Sequence, residues 1–253
     1  GNVVGHGFSA ELTVSIVKGL LDAGIQDIEL GNCKGIGAYE KLQATKALSD
    51  REYLKILEPY VSQGRLGMFL MAKLADETLT RTAKDGGLTF LRVGANAGDG
   101  AGSVQAVELV KKAGLICRYS LMKAYVSTPE ELAREAKMLQ NAGVDMITIM
   151  DSAGTMLPDQ AAAYTEALAD ALSIPVAFHC HNNLGLSAAN ALAAWQNGAA
   201  ILDCGLMGMA RSAGNLATEV CVALMQRHGE MKDIDLFGML DFIENRLQPA
   251  MAA

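Results

Sequence analysis

Between Leu20 and Leu206 one pattern keeps returning: a helical stretch, a small residue with Gly, then a short apolar run of β-type residues. The instances are "LLDAGIQDIELGN", "AKDGGLTFLRVGAN", "KKAGLICRYSLM", "LQNAGVDMITIMDSAG" and "WQNGAAILDCGLMG". Gly just past a helix end adopts the left-handed conformation without steric cost, so it marks the C-cap. Two further runs lack that preface: "RLGMFLM" at Arg65–Met71 and "IPVAFHCH" at Ile174–His181. All seven runs are nearly continuously apolar, as parallel strands covered on both faces are.

Alternating βα units close into a barrel or lie open as a doubly wound sheet. The spacing and number of the runs favour a (β/α)8 TIM barrel, an α/β fold, with one strand absent. Ser9 is a suitable N-cap, and Glu11, Leu12 and "TVSIVKGLLDAG" complete a helical pattern, so a loop feeds a first helix and the first strand is expected upstream of Gly1. Gly1 is therefore read as other than the native start, and a seven-stranded or open sheet is the alternative. "GNLATEVCVALMQRHG" reads as the last barrel helix. In "DIDLFGMLDFIENRL" the residues Leu236, Met239, Leu240, Ile243 and Leu247 fall at helical spacing. The expected organisation is a barrel over residues 1–228 and, over 229–253, a helix that packs on the barrel or on something beyond it.

Composition narrows the function. The chain has 253 residues, about the length of one α/β barrel. Hydrophobic residues make up 51% and aromatics 5%, so the interior is expected to be aliphatic with many of the 13 Met. A net charge of −7 without a dense Lys/Arg cluster argues against a nucleic-acid surface. No apolar run suits a membrane span, and no leader is visible. The five Cys are scattered without CxxC spacing, which fits a reducing cytoplasm rather than a disulfide framework or zinc ribbon.

In α/β barrels the chemistry sits at the C-terminal strand ends. Here those positions are polar: Glu29, Asn32 and Cys33; Lys73; Arg92 and Asn96; Lys123; Asp151 and Ser152; His179, His181, Asn182 and Asn183; then Asp203, with Arg211 and Asn215 in "GLMGMARSAGN". Residues i and i+2 of a strand share a face, so His179 and His181 point together and Cys180 points away. Two imidazoles at a barrel mouth read as ligands of a divalent cation, with core histidines as the alternative. A carboxylate would complete the set, and Asp151, Asp203 and Glu29 are the candidates. Lys73 and Lys123 keep open a competing Schiff-base route. Arg92 reads as structural and Cys33 as an inert thiol.

"HCHNNLGLSAANALAAWQNGAAILDCGLMGMARSAGNLATEV" resembles the segment that defines the metal-dependent lyase and synthase barrels related to HMG-CoA lyase, isopropylmalate synthase and 4-hydroxy-2-oxovalerate aldolase. "MDSAGTMLPDQ", "YSLMKAYVSTPEELAREAKMLQNAGVD" and "DIDLFGMLDFIENRLQPAM" are most similar to the aldolases. The resemblance implies His179 and His181 as metal ligands with Asn215 beside them, a Mn²⁺ or Mg²⁺ cofactor, and Ser152 near the substrate. It implies a 2-oxoacid substrate cleaved to pyruvate and an aldehyde through a metal-bound enolate. Asn2, Lys123 and Asn183 are expected to bind substrate. The family's third ligand, an Asp, and an enolate-stabilising Arg lie in a "TLRDG"-like motif that would precede Gly1. Asn2 stands at the family's catalytic His position, and Asn is no general base near neutral pH, so His6 is the candidate catalytic residue. The aldolases also carry a C-terminal domain contacting an aldehyde dehydrogenase, and a homo-oligomer is expected. An acyl-CoA lyase or Claisen-type synthase, and a non-catalytic barrel subunit, are the alternatives.

Overall fold

Each apolar run becomes a parallel strand. The computed structural model describes residues 8–31, 34–42 and 48–252. Its strands are β1 (Asp27–Leu30), β2 (Arg65–Met71), β3 (Phe90–Asn96), β4 (Ile116–Met122), β5 (Met146–Asp151), β6 (Val176–Cys180) and β7 (Ala199–Asp203). They form one sheet in sequential order, every neighbouring pair parallel. The sheet curls with helices around it, a TIM-barrel-like α/β fold. Among the described residues β1 and β7 do not pair with each other.

The helices are α1 (Ala10–Asp22), α2 (Ala38–Leu42), α3 (Asp50–Leu57), α4 (Glu77–Asp85), α5 (Val104–Lys112), α6 (Pro129–Asn141), α7 (Pro158–Ala171), α8 (Ser187–Gln196), α9 (Thr218–Arg227), α10 (Leu236–Phe242) and α11 (Gln248–Ala252). Ser9 caps α1 as its side chain accepts the Leu12 N–H at 3.1 Å. Alternation along the strands separates two cores. Leu66, Met68 and Leu70 of β2, Leu91 and Val93 of β3, and Ile147 and Ile149 of β5 face the helices and are buried. The residues between them line the interior, where large and small side chains interdigitate. A Cβ at Gly67 would lie 2.3 Å from the Phe90 ring, and one at Gly94 would lie 2.2 Å from Phe69, so these strand glycines make room for the two rings.

The interior also holds charge. Arg92 of β3 donates from Nε and Nη2 to Glu29 of β1 at 2.5 and 2.7 Å, and from Nη1 to Asp203 of β7. Thr148 of β5 lies 3.4 Å from the same Nη1. Strands β1, β3, β5 and β7 thus contribute one layer, the alternate-strand pattern of barrel interiors. One guanidinium joins both edge strands of the sheet. Burial opposes the charge on Arg92, but Asp203 and Glu29 outweigh it and raise its pKa. Burial likewise opposes the charge on Asp203, and Arg92 with His179 holds that carboxyl well below its ordinary range.

The apolar stripe after the barrel packs where those edges lie. Met239, Ile243 and Leu247 are buried with Ala23, Leu206 and Val222, and Phe242 lies against Gly19 of α1. Met239, Ile243 and Leu247 recur every fourth residue, the last two at the ends of a π-helical turn at Ile243–Leu247, and Leu240, expected within the stripe, is 40% exposed.

Arg92→Met leaves two carboxylates facing each other without a cation and is expected to cost roughly 3–5 kcal/mol in urea unfolding. Adding Glu29→Gln and Asp203→Asn should recover much of that loss. Because the Asp203 pKa is lowered on folding, its share is present above the ordinary carboxylate range and fades as pH falls below it. A single-variant loss below about 1 kcal/mol contradicts the assignment.

Candidate functional site

His179 lies in β6 and His181 follows it, bridged to Asn215 of the β7–α9 loop. Their rings stand edge to face, centroids 5.3 Å apart. The His181 N–H donates to the Asp151 carbonyl at 3.3 Å, which ties the pair to the end of β5. Burial, then His179, then Arg211 push the His181 pKa down to about 4, so its ring is neutral at pH 7. His179 Nδ1, His181 Nδ1 and Asn215 Oδ1 are buried and lack a hydrogen-bond partner. Leaving such atoms unsatisfied costs about 1–3 kcal/mol each. Two imidazoles and an amide oxygen suit a divalent cation, and coordination would satisfy orphaned atoms of this kind. The donor set fits such an ion.

Of the three candidate carboxylates, two already face a cation. Glu29 and Asp203 are held by Arg92, although Asp203 Oδ2 comes within 3.4 Å of His179 Nδ1 without hydrogen-bond alignment. Asp151 is fully buried and accepts the Thr155 and Met156 N–H groups at 3.2 and 3.0 Å, so it shapes the loop after β5. As a candidate ligand it is thus engaged by two amides of its own following loop, and not by a neighbouring strand end. Among the described residues no cluster of three or more His, Cys, Asp or Glu could hold a metal.

The loops after β4, β5, β6 and β7 are laced together over the pair. The Lys123 N–H donates to Ser152 Oγ at 2.9 Å, and Arg211 Nη2 donates to the Ser152 carbonyl. Leu184 N–H donates to the Gly154 carbonyl, and Asn182 N–H to the Gly214 carbonyl. Gly154 has φ +64°, and a Cβ there would come within 2.7 Å of the Asn183 nitrogen and the His181 carbonyl. Only glycine fits that crossing. The structure therefore brings Ser152, Lys123 and Asn183 to the loops around His179, His181 and Asn215. Asn182 Oδ1 accepts the Ser187 N–H at 3.2 Å and acts on its own loop, and Asn96 turns to Asp99. Asn2, His6, Asn32 and Cys33 lie outside the described residues.

Sequence reasoning noted Arg211 only as a polar residue near a strand end, yet its side chain crosses to the loop after β5. Its place four residues before Asn215, in the same Gly-containing loop, was the available signal. The bond between Glu29, Arg92 and Asp203 could not be read, because the three are far apart in sequence.

Asp151→Ala removes two charge-assisted bonds from a buried loop and should lower stability by roughly 2–3 kcal/mol. Urea unfolding beside Mn²⁺ titration checks it: a ligand would lose affinity as severely as His181→Ala does, whereas Asp151→Ala should change affinity far less.

Residues 100–244 match the family model described as HMGL-like. The 4-hydroxy-2-oxovalerate aldolase of Moorella thermoacetica is 33% identical over 250 residues, covering 99% of this chain and 74% of that protein. The enzyme of the same name from Geobacillus genomosp. 3 is 34% identical with the same coverage. The HMG-CoA lyase of Brucella melitensis superposes with TM-score 0.79 at 18% identity, covering 96% of this chain and 93% of its own. A carboxyl transferase domain of Rhizobium etli pyruvate carboxylase gives 0.81 at 16% identity, over 97% of this chain and 45% of that one. These two likenesses concern the fold. The family match and the aldolase relatives together establish that this chain belongs to the HMGL-like family.

Proposed function

We propose that the protein is a metal-dependent carbon–carbon lyase that cleaves 4-hydroxy-2-oxoacids to pyruvate and an aldehyde. One observation carries the reading: a same-face histidine pair with orphaned ring nitrogens at the mouth of a barrel whose relatives are aldolases. The relatives' substrate belongs to them by name; here it is supported by the histidine pair in the same frame.

His179, His181 and Asn215 would hold the divalent ion, Mn²⁺ or Mg²⁺, which supplies Lewis acidity toward the oxygens of a 2-oxoacid and so favours departure of pyruvate as its enolate. The chain's own groups perform the remaining work. The Ser152 hydroxyl oxygen already accepts the Lys123 N–H, so its proton is free to be donated to a substrate oxygen. That bond fixes the hydroxyl before substrate arrives. Asn183 sits on the loop held against Gly154, where its amide can orient the substrate. His6 is the proposed acid–base residue that takes the proton of the 4-hydroxyl as the carbon–carbon bond breaks, and Asn2 is proposed to bind beside it. The Arg92 network occupies both nearby carboxylates, which keeps them bound to a cation beneath the site.

Elemental analysis and pyruvate assays test this directly. About one divalent ion per chain is expected, lost in the His179→Ala, His181→Ala double variant. Pyruvate release should fall about a thousandfold with it, the equivalent of several kcal/mol of transition-state stabilisation. Metal-loaded protein that neither releases pyruvate from 4-hydroxy-2-oxoacids nor exchanges the methyl protons of pyruvate contradicts the proposal. Activity confined to thioesters would move it to the acyl-CoA lyases and synthases.

A further inference from the structure

Two basic residues contact Ser152 from different loops of the mouth, one through its backbone and one through its side chain. Lys123 approaches from the end of β4 through its backbone N–H, and Arg211 approaches from the β7–α9 loop through its guanidinium. Neither side chain has a carboxylate partner among the described residues, and both residues are exposed. Other surface cations do face carboxylates, as Lys18 faces Asp22, Lys111 faces Asp145 and Lys112 faces Glu77, whereas the Arg211 guanidinium bonds only a backbone carbonyl at the mouth. The backbone gives a second, independent sign. Of four non-glycine residues with positive φ among the described residues, Lys123 and Ser212, the neighbour of Arg211, are two. Met207 of the same β7–α9 loop is a third. A left-handed backbone is disfavoured for any side chain, so a lysine where glycine would fit without strain is held there at a cost.

Depth decides what these cations serve. His181 is buried and the His179 side chain is 12% exposed, whereas Arg211 and Lys123 are exposed on the rim. A 2-oxoacid whose head reached His179 and His181 would extend its other half past them. We propose that Arg211, assisted by Lys123, forms a subsite for a negatively charged group on the aldehyde half of the substrate, so that the preferred 4-hydroxy-2-oxoacids carry a second acidic group, a carboxylate or a phosphate, at the far end. This rests on the aldolase reading and names its substrate class. Arg211 is suited to the task because four of its five N–H donors are not used by the Ser152 carbonyl, and its fork matches either oxyanion. The guanidinium stays charged at any working pH, and its present bond to a carbonyl is one that an oxyanion can outcompete.

The test runs in the synthetic direction with Mn²⁺, pyruvate and a panel of aldehydes: glycolaldehyde phosphate, succinic semialdehyde, glycolaldehyde and propionaldehyde. Wild-type protein should favour the charged aldehydes over the neutral ones in kcat/KM. Arg211→Gln should raise KM for the charged aldehydes about tenfold more than for the neutral ones, and Lys123→Gln should act in the same direction more weakly. Lys112→Gln, on the outer helices, serves as the charge control and should leave the ratio as it is. Preference for phosphate over carboxylate, or the reverse, identifies the group. Equal use of charged and neutral aldehydes, preference for propionaldehyde, or an equal effect of Arg211→Gln on both classes would overturn the proposal. If no aldehyde is turned over, the aldolase reading fails by itself; calorimetry with glycolaldehyde phosphate then decides the subsite, which requires binding that Arg211→Gln weakens and is refuted by no binding.

Discussion

A buried guanidinium between two carboxylates is the constraint on which the rest of this barrel depends. Arg92 bonds Glu29 and Asp203, and these lie on the two edge strands of the sheet, which share no backbone pairing among the described residues. Backbone hydrogen bonds hold each strand to its sequence neighbours, but none of those bonds fixes how far the sheet curls. The Arg92 network does, since its three strands must come within one guanidinium's reach. A buried ion pair is weak evidence for net stability, yet removing one partner is costly. The network is therefore better understood as a fixer of geometry than as a source of stability.

That geometry bears on the site above it. Asp203 is both a partner of Arg92 and a neighbour of His179, so the curl of the barrel and the position of the histidine pair are set together. Around the pair, four loops are joined by backbone and side-chain bonds that converge on Ser152 and Gly154. The two imidazoles are thereby held by strands and cross-braced loops, while Lys123 and Arg211 on the rim remain open to solvent. Rigid imidazoles below and available charge above suit the proposed site, which would hold one end of its substrate firmly and select on the other.

Much of this was legible in the sequence because it depends on local periodicity. The run Arg65–Met71 is a strand with those limits, and Ile174–His181 contains β6 with His179 and His181 on one face. What escaped depends on distant partners. Asp151, Asp203 and Glu29 are equivalent as acids at strand ends, and only the fold shows one bound to backbone amides and two bound to Arg92. Leu240 fits a regular helical stripe, but the buried face runs through Met239, Ile243 and Leu247 and leaves it exposed. The role of Arg211 depends on a loop crossing that no spacing rule encodes.

The central claim is that His179 and His181 hold a divalent ion to which a 2-oxoacid comes. Pulsed electron paramagnetic resonance on Mn²⁺-loaded protein addresses it without turnover. The account predicts nitrogen couplings from two imidazoles, both absent in the double alanine variant, and an additional coupling when ¹³C-labelled pyruvate is added. A spectrum of hydrated Mn²⁺ without imidazole couplings, unchanged by pyruvate, would contradict it.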